Sequence, residues 1–211
     1  METIDILLPK NLENLQLPDP NLLQYYKDIE DRVLYLEGGI GDESDPDNSN
    51  SMGIVKKIIQ YNKEDKNIPD NERKPIKIFI DSYGGDALRT AVLFNVIEMS
   101  KTPIYTINLC DALSAAGFIL AAGHKRFAIR GTSVLIHTGS VCYNGDKVKI
   151  DASKKHNDKI VKGLVDKFLS KTKIDSKTYK TKAPKEWYLD ANDALNYGVI
   201  DKIIDTIDEI I

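Results

Sequence analysis

The sequence predicts an α/β fold built on parallel strands. Three observations carry this expectation. Short apolar runs of strand length alternate along the chain with longer stretches of helical periodicity. Glycine, proline or small polar residues close most of these runs. The strand–helix units recur without any repeat of sequence, as in an α/β fold with stacked parallel strands. With 211 residues, 42% of them hydrophobic and 29% charged, the chain can bury a full core as one unit with an appendage.

The elements follow in order. Residues 1–31, with Pro9, Pro18 and Pro20, read as an N-terminal arm, irregular except for a short helix around 22–29. Residues 32–36 (R-V-L-Y-L) read as a strand ending at Gly38 and Gly39. Residues 42–51 are acidic and turn-forming, and so predict a mobile loop. Ser51 is placed to cap a helix over 52–61, where Ile54, Val55, Ile58 and Ile59 share a face. A charged loop over 62–74 precedes a buried strand over 76–80, with Gly84 and Gly85 as the turn after it. An apolar helix over 87–100 stops before Pro103, and the next strand covers 104–109. A helix headed by Ser114 follows, then short strands over 126–129 and 134–136 around Arg130 and Gly131. Residues 151–171 form a long charged amphipathic helix with Ile160, Leu164, Val165, Phe168 and Leu169 on one side. A short helix over 190–197 stops at Gly198, and 199–204 is the last strand.

The bulk numbers exclude several function classes. A net charge of −3 points away from nucleic acid and from anionic membranes as main partners. Cys110 and Cys142 form no C-x-x-C, so zinc and redox motifs have no support. The start M-E-T-I-D-I-L-L lacks the basic head and long apolar core of a signal peptide, and no apolar run reaches transmembrane length. A cytoplasmic location is the expectation.

Two segments point to chemistry. In 111–123 (D-A-L-S-A-A-G-F-I-L-A-A-G), Ser114 stands among very small residues at the head of an apolar helix. Small neighbours let a substrate carbonyl reach both the hydroxyl and nearby backbone N–H groups. A helix N-terminus favours a developing oxyanion. In 133–137 (S-V-L-I-H), His137 ends an apolar strand. Imidazole, with a reference pKa of about 6.5, can take and return the proton of a serine hydroxyl. His124 in its G-H-K-R turn and His156 in the charged helix read as solvated. For Ser114 the bland alternative is a helix N-cap or a small packing residue. The G-x-S-x-G elbow of α/β-hydrolases is absent.

These residues also carry a resemblance. Residues 111–123 resemble the nucleophile segment of the Clp protease proteolytic subunit (ClpP) family, approximately A-A-S-M-G-A-F-L-L-A-A-G. Residues 78–86 (I-F-I-D-S-Y-G-G-D) resemble its strand followed by N-S-P-G-G, and 134–137 its M-I-H. Residues 186–201 (E-W-Y-L-D-A-N-D-A-L-N-Y-G-V-I-D) resemble its D-R-F-L-S-A-x-E-A-x-x-Y-G-L-V-D. The four segments occur in the family's order. Tyr83, Ala116 and Glu186 depart from the family's Pro, Gly and Asp.

The resemblance implies a ClpP/crotonase-like ββα spiral with a protruding long helix, and a peptidase domain over 32–211. The helix over 151–171 resembles the family's handle, or is an ordinary helix covering the core. The implied activity is that of a serine endopeptidase. Ser114 is its nucleophile, His137 its base and Glu186 its orienting acid, with Asp190 and Asp193 as nearby alternatives. The N–H groups of Gly85 and Ala115 are the implied oxyanion hole. No metal or organic cofactor is implied. The implied partners are peptide or unfolded protein, further copies in heptameric rings stacked as a tetradecamer, and an ATP-driven unfoldase. The rival readings are a non-catalytic scaffold or regulatory subunit, an acyl-CoA enzyme of the crotonase type, and a Ser–Lys peptidase.

Overall fold

Isoleucine at every second position over Ile76, Ile78 and Ile80 makes a strand with one fully buried face, and that strand is central to the sheet. The computed structural model describes residues 20–41 and 51–210. The first part of the expected arm and the acidic loop over 42–50 lie outside the described residues. Helix α1 (Pro20–Asp31) leads into β1 (Val33–Ile40), and α2 (Ser51–Glu64) ends in two short 3-10 turns. Then come β2 (Ile76–Gly85), α3 (Ala87–Met99), β3 (Ile104–Leu113), α4 (Ala115–Ala122), β4 (Lys125–Ile129) and β5 (Ser133–Ile136). The chain closes with α5 (Lys147–Lys171), α6 (Ser176–Lys182), β6 (Trp187–Asp190), α7 (Ala191–Asn196) and β7 (Lys202–Ile204). This is the α/β architecture that the alternation predicts.

The main path of the sheet is β1-β2-β3-β4-β7, with parallel neighbours throughout. Strand β3 is shared. Its first half, Tyr105 to Asn108, pairs with β4. Its second half, Asp111 to Leu113, pairs in parallel with β5. Strand β6 then adds antiparallel to β5, with Ile136 opposite Trp187. At the seam, buried Asn108 donates from Nδ2 to the Ser133 carbonyl at 3.0 Å.

Burial explains the order. All eight residues of α4 are buried against the sheet, as are Leu93, Phe94 and Ile97 of α3. Helix α5 enters this core only near its C-terminal end, through Leu164 and Phe168. The Phe168 ring lies 4.5 Å from that of Phe118, and full burial of such a ring stabilises by about 2–3 kcal/mol. None of the earlier residues of α5 is fully buried, and Asn157, Ile160 and Val161 are half-buried. On the other sheet face Ile107, Ile204 and Ile210 form a small cluster, flanked by half-buried Phe79, Tyr105 and Phe127.

Four expectations need correction. The Gly38–Gly39 pair does not end β1, and Gly84–Gly85 form the last two residues of β2 rather than a turn after it, because the two strands pair with each other through them. Ser51 is the first residue of α2, and its buried hydroxyl has no partner among the described residues, so it caps nothing. Helix α5 starts earlier, at Lys147, because Asp146 caps it by accepting the Lys149 N–H. Helix α6 and strand β6 fall where no element is expected.

One buried ion pair joins separate parts. Arg32 reaches both carboxylate oxygens of fully buried Asp65, at 2.7 Å each. Thr102 donates to the same carboxylate at 2.7 Å, and Arg32 also donates to the Lys74 carbonyl. The node ties the start of β1 to the end of α2 and to the turn before β3. The Arg32 guanidinium, and then the Thr102 hydroxyl, hold the Asp65 carboxyl below the ordinary carboxylate value. A carboxyl depressed in the folded state contributes stability above its unfolded pKa. That contribution is lost as pH falls through the folded value. Asp65→Ala is expected to cost about 3 kcal/mol by removing the buried carboxylate partner of Arg32. In urea melts, the gap between wild type and Asp65→Asn should be widest near neutral pH and shrink below the carboxylate range.

Candidate active site

Strand register brings Ser114 and His137 together. Leu113, the last residue of β3, is opposite Leu135 of β5 in a parallel pair. Ser114 is therefore one step past Leu113, and His137 two steps past Leu135, on adjacent strands running the same way. The Ser114 N–H continues the ladder by donating to the Leu135 carbonyl at 2.8 Å. The two side chains meet with His137 Nε2 and Ser114 Oγ 2.6 Å apart.

The backbone at Ser114 is strained. Its φ is 55° and ψ −121°, a region that non-glycine residues avoid. Such a conformation costs about 1–3 kcal/mol and persists only where its surroundings fix it. The shape is a sharp strand-to-helix elbow. Its hydroxyl makes no capping bond to α4, so the N-cap alternative does not hold. The amide of Ala115 opens α4 and has no carbonyl four residues back within the helix. The macrodipole of α4 places positive potential at the same point.

Space for the elbow comes from β2. A Cβ on Gly84 would lie 2.5 Å from the Leu113 oxygen, 2.8 Å from the Ala115 nitrogen and 2.9 Å from the Ser114 Cβ. Only a glycine lets β2 approach this closely. Gly85, Ser114, Ala115 and His137 line one end of a cleft of about 330 Å³. Phe118, Val161, Leu164, Val165 and Tyr179 make its apolar walls. Burial pushes the Tyr179 phenol up from its ordinary value, so it is neutral at physiological pH. Cys142, which is exposed, also lines the cleft.

Glu186 is placed across from His137 but does not join it. One further step of the β5–β6 ladder, beyond Ile136 and Trp187, puts the two residues opposite each other. Glu186 has a left-handed backbone, φ 54° and ψ 86°, and is exposed. Its carboxylate makes no hydrogen bond or ion pair with a described residue. Asp190 caps α7 by accepting the Asp193 N–H at 2.8 Å, which occupies one of its oxygens.

The other histidines have different surroundings. His124 is open to solvent on one side, yet its Nδ1 accepts the Ile104 N–H at 2.9 Å. Desolvation, and then the Lys171 charge, push its pKa below the ordinary value. It acts as a neutral acceptor that holds the start of β3. His156 lies exposed on α5. The strained elbow, the Gly84 clearance and the β6 strand are absent from the linear reading. The G-G pair gave a signal for the second, but it reads equally as a turn.

Comparison with known proteins places the chain in a family. The family model for Clp protease matches residues 30–207. Three curated relatives align. One is the ATP-dependent Clp protease proteolytic subunit 2 of Treponema pallidum, 29% identical over 183 residues, or 86% of either chain. Another is the ATP-dependent Clp protease proteolytic subunit of Deinococcus radiodurans, 25% identical over 183 residues, covering 86% of this chain and 84% of the relative. The third is proteolytic subunit 2 of Treponema denticola, 33% identical over 132 residues, covering 62% of this chain and 66% of the relative. The match spans every strand and every residue of the Ser114 cleft. By that match and by its parallel α/β architecture, this chain belongs to the Clp protease family.

Proposed function

We propose that the chain is a ClpP-type serine endopeptidase subunit. The observation that carries this reading is the 2.6 Å contact between Ser114 Oγ and His137 Nε2 at a strained elbow. Ser114 Oγ attacks a peptide carbonyl carbon while its proton passes to His137 Nε2. The carbonyl oxygen becomes an oxyanion, which accepts from the N–H groups of Gly85 and Ala115. The imidazolium then protonates the leaving amine, the C–N bond breaks, and an ester to Ser114 remains. Water, losing a proton to His137, attacks that ester. The acid product leaves and Ser114 regains its proton.

Glu186 is the orienting acid of this reading. A turn of its side chain toward His137 Nδ1 would fix the tautomer that leaves Nε2 free to accept. The apolar cleft walls suit an apolar side chain beside the scissile bond. No lysine is among the described residues that line the cleft, which leaves a Ser–Lys mechanism without a base. The pairing of Ser114 with a base is a feature that an acyl-CoA enzyme of this fold does not need.

The reading includes assembly into stacked rings that enclose the sites, fed by an ATP-driven unfoldase. Parallel sheets are normally covered on both faces. Here Tyr35, Phe79, Tyr105 and Phe127 leave one face half covered, which supports burial against other chains. No described helix is long and apolar enough to cross a membrane. A non-catalytic scaffold is the second reading, favoured by the carboxylate of Glu186, which engages no described residue.

Three outcomes are expected. A fluorophosphonate should label the wild type and fail to label Ser114→Ala or His137→Ala of the same native mass; an unlabelled, folded wild type favours the scaffold. Glu186→Gln should lower kcat for a fluorogenic peptide by about a hundredfold with KM little changed, and wild-type kcat would remove Glu186 from the mechanism. Gly84→Ala should lose roughly 1–3 kcal/mol of stability, read by thermal melt, and label more slowly, because its Cβ has no room beside the elbow.

A further inference from the structure

A serine hydroxyl interrupts the β1–β2 ladder just before the glycine that faces the cleft. The register is regular up to Gly38 opposite Ser82, and the next pair is Gly39 opposite Gly84. Strand β2 therefore carries one extra residue, Tyr83. Two residues opposed by one make a β-bulge, rare between parallel strands and frequent beside active sites. On the other edge β2 also slips against β3, from Ile80 opposite Asn108 to Ser82 opposite Ala112.

Ser82 holds this bulge. It is 2% exposed. Its Oγ donates to the Gly38 carbonyl at 2.6 Å and accepts the Gly84 N–H at 3.2 Å. One hydroxyl thus satisfies a group on each strand at the point where the ladder is broken.

The bulge decides which amide faces the elbow. Beyond it, Ile40 is opposite Gly85, and its carbonyl accepts the Asp86 N–H at 2.8 Å. In a parallel ladder a residue bonds the two neighbours of its partner, and the partner's own N–H points to the opposite edge. The opposite edge of Gly85 is the side of β3 and Ser114. Without the extra residue every group beyond Tyr83 would shift by one, and the Gly85 N–H would turn toward β1.

We propose that Ser82 is a positioning residue, whose hydroxyl maintains the β2 bulge that presents the Gly85 N–H to the oxyanion. Ser82 does not line the cleft and acts through Gly85. The proposal rests on the peptidase reading above.

The test compares wild type with Ser82→Ala, Ser82→Cys and Ser82→Thr. Fluorophosphonate labelling rate, kcat and KM on a fluorogenic peptide amide, thermal melt and native mass are read for each. The Ala and Cys variants should label about tenfold to a hundredfold more slowly, with the loss in kcat and KM held. Thr, which keeps the hydroxyl, should return most of the rate. Wild-type rates in a folded Ala or Cys variant overturn the proposal, as does a loss confined to KM. If Ser82→Ala does not fold, the nearly isosteric Ser82→Cys decides. A wild type inert to both probes sinks the peptidase reading itself, and that failure appears before any variant is made.

Discussion

The site depends on the parallel pairing of the second half of β3 with β5. This pairing fixes where two strands end relative to each other, and both proposed reacting groups stand at those ends. The Ser114 N–H bound to the Leu135 carbonyl is the last rung of that ladder. A slip of one residue would turn the inward residues of β5 outward and carry His137 away from the serine. Packing opposes the slip, since Val134 and Ile136 are at most 1% exposed on one face and Leu135 is buried on the other. The same rung helps hold Ser114 in its unfavourable backbone conformation, and the buried α4 behind it opposes relaxation.

Elbows of the G-x-S-x-G type get clearance from glycines flanking the nucleophile. This chain has Ala115 and Ala116 immediately after Ser114, and its clearance comes from another strand. Gly84 of β2 leaves the gap into which the elbow fits. Gly117, one residue later than in the family pattern, allows α4 to lie close over β3, since a Cβ there would be 3.1 Å from the Ala112 oxygen. The requirement for small residues is met, but by contributions from two separate segments.

The parts legible in the sequence are those with local signals. Ser114 is marked by the small residues around it, and His137 by the apolar run that it ends. The helical period identifies α3 and the core-facing end of α5. The parts not legible depend on distant partners. Gly38–Gly39 and Gly84–Gly85 read as turns until each is paired with the other. Strand β6 is short and has one buried residue, and only its pairing with β5 defines it. The Arg32–Asp65 pair spans 33 positions with no periodic trace. The Ser114 strain has no sequence motif here. Helix α6 is different, because its Asp175 cap is a local signal that the periodicity of so short a segment does not reinforce.

In the proposed mechanism Ser114, His137 and two backbone amides act on one carbonyl. The most direct measurement is a crystal structure of the protein treated with a peptide boronate, which forms a tetrahedral adduct with a nucleophile. Boron is expected bonded to Ser114 Oγ, with a boron-bound oxygen within hydrogen-bond distance of the Gly85 and Ala115 nitrogens. Boron on another residue, or an oxygen pointing away from both amides, would contradict it.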